Sequence, residues 1–69
     1  MYSDLNSAIA DAAEVAAESA LYAAIADGLN PLDVRVGYRM AMVVYGTLTS
    51  AGESSDRALY FAELYSAAE

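Results

Sequence analysis

Asp11, Glu14 and Glu18 follow one another at spacings of three and four residues. On a helix, that spacing puts three carboxylates on one face. Such a cluster could hold a hard cation or work as a general acid and base, but neither use has the rest of its equipment. Calcium takes six or more oxygen ligands, and helical two-metal sites add histidines at an i, i+3 offset. The chain has no histidine and no cysteine. Acid–base catalysis needs a pocket that shifts a carboxylate pKa, and an outward helix face offers none. Serines are plentiful, yet no histidine or lysine is present to activate one. No glycine-rich phosphate loop occurs. We therefore expect no enzymatic activity, no cofactor and no metal.

Two readings of the three acids remain: a solvated face, or a surface that contacts a basic partner. The overall charge bears on both. Ten acids against three arginines give a formal net charge of -7. Nucleic-acid affinity rests on clustered Lys and Arg, and anionic lipid attracts the same residues. Direct binding to nucleic acid or membrane is therefore not expected, whereas a protein with a basic surface is favoured. The N-terminal Met1-Tyr2-Ser3-Asp4 lacks the positive segment of a signal peptide. The apolar run from Met40 to Leu48 is far short of the ~20 residues a membrane span needs. Cytoplasmic residence is the expectation.

The elements that must position these residues read as helices. The first should run from about residue 4 to 27, with Ser3 as N-cap. Its apolar face is Leu5, Ile9, Ala12, Ala16, Ala20 and Ala23. Gly28 supplies the left-handed position that ends it. Asn30-Pro31-Leu32-Asp33 reads as cap, first turn and a charge at the helix dipole, so the second helix should run from about 31 to 50. Leu32, Val36, Met40 and Val43 mark one of its apolar faces. Val34, Ala41, Val44, Tyr45 and Leu48 mark another, so this helix should be central. Its β-branched and aromatic content also suits a strand, but the cap chemistry argues for helix. Ala51-Gly52-Glu53-Ser54 is a turn, and Ser54 or Ser55 caps a third helix over about 55–67. One all-α domain covers residues 1–69. It is a hairpin of two long antiparallel helices plus a shorter third, and we expect it to dimerise.

Several side chains then stand out as contact candidates. Six tyrosines accompany one phenylalanine and no tryptophan, while sixteen residues are alanine. So many large rings either roof a thin core or lie at an interface, where tyrosine is enriched. Tyr22, beside the acidic face, and Tyr60, on the third helix, are the ones we single out. With Asp11, Glu14 and Glu18 they form the expected partner-binding set. Gly37 and Ala41 make a small-xxx-small pair on the second helix. With Val44 and Leu48 they are the expected self-association face, close packing inside the hairpin being the other reading. Arg35 and Arg39 are four apart and repel mildly. Glu18 is the expected partner of Arg39, a carboxylate from a binding partner or a dimer mate being the other reading.

A chain of 69 residues buries only about 60% of its unfolded surface and usually needs a staple. Without cysteine, oligomerisation or an obligate partner is the device left. In size, acidity, helical layout and lack of catalytic residues, the chain resembles small phage-encoded host-takeover proteins. That group includes anti-CRISPR proteins and inhibitors of host transcription regulators or pilus motors. The resemblance covers composition and layout rather than a motif, so no functional residue is carried over from it. It implies a stoichiometric inhibitor of a host or regulatory protein that occludes a basic or functional surface. The alternative, from another class, is a self-assembling structural subunit or adaptor of a larger complex.

Overall fold

A computed structural model describes residues 3–66, with side-chain surroundings from Ser7 onward. Tyr2, Ala67 and the side chains of Ser3, Asp4 and Leu5 lie outside the described residues. The described chain is all helical: α1 (Ser3–Ala26), α2 (Val34–Ser50) and α3 (Ser55–Ser66). The strand alternative for the second element is thereby excluded. α2 is the middle member, packing on both α1 and α3, while α1 and α3 barely touch.

The helix ends follow from local chemistry. Gly28 has φ +95°, its N–H donates to the Ile25 carbonyl at 2.9 Å, and the Leu29 N–H donates to the Ala24 carbonyl at 3.0 Å. These are the two bonds of a Schellman stop. Gly52 (φ +98°) ends α2 in the same way, with Glu53 N–H donating to Leu48 at 3.0 Å. Ser54 Oγ accepts from the Arg57 N–H at 3.2 Å and caps α3, as the sequence suggests.

The start of α2 departs from expectation by three residues. Asn30 closes a turn instead of capping a helix at Pro31. Its side chain accepts from Leu32 N–H, and its carbonyl accepts from Asp33 N–H, each at 2.8 Å. Asp33 is the true N-cap, with extended backbone (φ −66°, ψ 134°). Its Oδ1 accepts from the Arg35 N–H at 2.9 Å, and both of its oxygens accept from the Arg35 guanidinium at 3.1 and 2.7 Å. Two cap-forming side chains stood three apart, and only the second also had an arginine to anchor it. Leu32 therefore falls in the turn and is 93% exposed.

The core is thin. Its buried members are Ile9, Ala13, Ala16, Ala17, Ala20 and Ala24 of α1, Val36, Val44 and Leu48 of α2, and Ala58 and Ala62 of α3. Ala12 and Ala23, expected inside, are exposed, so α1 is turned by roughly 50° from the expected azimuth at ~100° per residue. Alanine surrounds α1 on most sides, so its own pattern sets the azimuth weakly. The large α2 side chains decide which methyls are covered. Val43, expected on an apolar face, is also exposed, and Met40 and Ala41 are half-buried.

Two consequences are measurable. Leu48→Ala removes one of the four buried side chains larger than alanine among the described residues and should cost roughly 2–4 kcal/mol. Thermal circular dichroism should show a midpoint lower by about 10 °C or more, while Ala12→Leu on the exposed side leaves it nearly unchanged. Arg35, through its guanidinium and then its backbone N–H, holds the Asp33 carboxyl at about 2 against an ordinary 3.8. A depressed carboxyl stabilises the fold fully above its unfolded value and loses that contribution as pH falls from about 4 towards 2. Asp33→Asn keeps a good cap, so its stability should match the parent at the lowest pH and fall short of it at neutral pH. Chemical denaturation across that range checks this.

Candidate functional site

α1 turns its outer face to solvent. Asp11, Glu14 and Glu18 are all exposed there, as expected, and so is Tyr22, at 66%. The structure adds Val15, 67% exposed, and Ile25. Asp11, Val15, Glu18, Tyr22 and Ile25 recur at intervals of four, three, four and three, one continuous stripe of a helix. Sequence reading missed Val15 because it stands alone among alanines and acids. The signal was its spacing from Glu18 and Tyr22.

The charges around this stripe are one-sided. Arg35 pairs with Asp33 at 2.7 Å, Arg39 with Asp27 at 3.1 Å, and Arg57 lies 3.9 Å from Glu53. The expected Glu18–Arg39 pair is therefore replaced by Asp27–Arg39. Asp27 stands at the end of α1, beside the junction with α2, whereas Glu18 lies on the side that senses Tyr65. Among the described residues Asp11, Glu14, Glu18, Asp56 and Glu63 form no ion pair. No described side chain that is polar or charged is buried. No described group of three or more acids is placed to hold a metal ion. No described helix is long and apolar enough to cross a membrane.

Tyr60 does not join the α1 set. It is exposed on α3, with its ring edge-on to Phe61 at 5.2 Å between centroids. The expected self-association residues are placed differently from expectation. Val44 and Leu48 are 0% and 2% exposed, inside the chain's own core, and Ala41 is half-buried. A methyl added at Gly37 would come within 3.3 Å of the Tyr65 carbonyl oxygen. Gly37 thus lies against α3, while the buried Val44 and Leu48 offer no free face to a second copy.

A second surface lies on the other side of α2. Tyr38, Met42 and Tyr45 line a groove against Leu59 of α3, floored by Ala41 and Ala62, with Glu63 and Ser66 at its margin. Its volume is about 360 Å³. Glu63 is its one charged lining residue. The signal in the sequence was the 38, 42, 45 spacing. It was hidden because a helix apolar nearly all round reads as central, and three helices leave one side of α2 open.

Comparison with known proteins yields no match. No family model fits the chain, and neither a curated protein nor a solved structure resembles it significantly. The functional reading therefore rests on these two surfaces: an acid-and-apolar stripe on α1 and an apolar groove between α2 and α3.

Tyr65 of α3 senses the acids of α1. Burial raises its phenol pKa above 10.0, and the charges of Glu14 and then Glu18 raise it further. A phenol with a raised folded pKa stabilises the fold below its ordinary value and withdraws that support as pH rises through the folded one. Spectrophotometric titration of Glu14→Gln/Glu18→Gln should therefore show one phenolate forming at lower pH than in the parent. An unchanged curve would separate these acids from the α1–α3 contact.

Proposed function

We propose that this chain is a non-enzymatic protein-binding module, which covers a basic surface of another protein with the outer face of α1. One observation carries the reading. Every arginine is engaged by a carboxylate of the same chain, while Asp11, Glu14 and Glu18 stand unpaired among exposed Val15, Tyr22 and Ile25. A partner that fits brings cationic side chains to the acids and apolar ones to the gaps between them. Tyr60 would extend such a contact only for a partner large enough to reach α3.

Binding of this kind is stoichiometric. We propose an inhibitor of a host or regulatory protein, of the type that phages encode against defence systems or regulators, acting in the cytoplasm without a cofactor. The excess of negative charge supports a protein target over nucleic acid or anionic membrane. The scaffold we propose is an antiparallel α1–α2 hairpin with α3 laid on α2. It is supported by Asp27 meeting Arg39 near the turn while Asp11 and Ala12 share a hollow with Val43 and Thr47. The second reading, a self-assembling subunit, is favoured by the α2–α3 groove.

Affinity capture from the native host, with mass-spectrometric identification, should yield one dominant partner. Glu14→Arg and Tyr22→Ala should each weaken its binding by about tenfold or more. If the acids lead, affinity falls steeply as salt rises. A salt-indifferent affinity lost only with Tyr22→Ala would leave an apolar, tyrosine-led contact. Binding untouched by both substitutions would remove α1 as the site.

A further inference from the structure

We infer that the groove formed by Tyr38, Met42, Tyr45 and Leu59 is a self-association surface, docking a second copy of this chain about a two-fold axis beside Met42. The inference is independent of the basic-partner reading, since it concerns the opposite side of the molecule and needs no other protein.

The first argument is the area available against the area required. Seven of the eleven buried core residues are alanine, and the chain has no cysteine for a disulfide. A stable dimer covers about 800 Å² on each partner. That is roughly one sixth of this chain's 4661 Å² of accessible surface. The groove sets exposed Tyr38, Met42 and Tyr45 of α2 beside exposed Leu59 of α3, with Met42 58% exposed.

Charge supplies the second argument. Two copies at -7 repel each other, so they must meet where the acids are fewest. α1 carries Asp11, Glu14 and Glu18, whereas the groove is lined by a single charge, Glu63. Arg35 and Arg39 stand three residues before Tyr38 and Met42 on the exposed side of α2, with side chains 67% and 47% exposed. An axis through the α1 stripe would instead set acid against acid.

Self-complementarity is the third argument, since a two-fold interface must match itself. Tyr38 lies four residues before Met42 and Tyr45 three after it. Reversing α2 against its own copy brings Met42 to the partner's Met42 and Tyr38 to the partner's Tyr45. Thioether against ring and ring against ring are both favourable contacts. Gly37 lies against the α3 backbone at Tyr65, and Ala41, half-buried, only floors the groove. Such a dimer leaves both α1 stripes outward, so it would present the acidic face twice.

Sedimentation equilibrium on the intact chain tests this. The parent should be dimeric at micromolar concentration. Met42→Glu, which sets two carboxylates face to face at the axis, should weaken the dimer by roughly a hundredfold with helical circular dichroism unchanged. Val15→Glu on α1 should leave it intact. Because the chain has no cysteine, Met42→Cys offers a second readout. A short bis-maleimide should link Met42→Cys chains to one another and fail to link Val15→Cys chains. A parent that stays monomeric at high concentration would overturn the inference and leave the groove to a different protein. So would a Met42→Glu chain that remains dimeric, or equal cross-linking at the two positions.

Discussion

Val44 and Leu48 of α2 pack into a cluster that is mostly alanine, with Ile9 of α1, and the rest of the molecule is arranged around that contact. Alanine lets the helices approach closely, and Gly37 lets α2 come against the backbone of α3 at Tyr65. Close approach has a geometric consequence. Short side chains cannot fill a wide interior, so the larger ones have no room between helices. Val15, Tyr22, Tyr38, Met42, Tyr45, Leu59 and Tyr60 are exposed for that reason. Their exposure follows from the thinness of the core, and it supplies the surfaces to which we assign binding.

The few positive charges serve the joints of the fold. Arg35 secures the cap that starts α2, Arg39 ties α2 to the end of α1, and Arg57 sits with Glu53 where α3 begins. All are exposed pairs, individually weak, but their placement has a global effect. It sets a carboxylate beside each arginine and leaves the acids of α1 unpaired among the described residues. The molecule thereby acquires two unlike sides: an acidic, partly apolar helix face, and an apolar groove with little charge. The first suits a basic protein. The second is where we infer that a copy docks, because Glu63 is its one charged lining residue.

The sequence by itself determined the helices and their stops. Gly28 and Gly52 occupy left-handed positions that few other residues adopt, Ser54 caps α3, and the periodicity of α2 marks it as central. These are local effects, acting over four or five residues, and local chemistry reads them. It also placed Asp11, Glu14, Glu18 and Tyr22 in solvent, because a helix surrounded by alanine covers none of them. Tertiary structure decided the rest. Only packing could choose between Ala12 and Ala13, or Ala23 and Ala24, since a methyl is equivalent on every side of α1. Only the path of the turn could show that Asp33, backed by Arg35, outcompetes Asn30 as the cap. It likewise gave Arg39 to Asp27 in place of Glu18, a choice between two carboxylates that differ only in where the chain carries them. The groove beside Met42 is the largest such gap. Its residues were visible in the 38, 42, 45 spacing, but their exposure depends on how many helices surround α2, and that number is a property of the assembled fold.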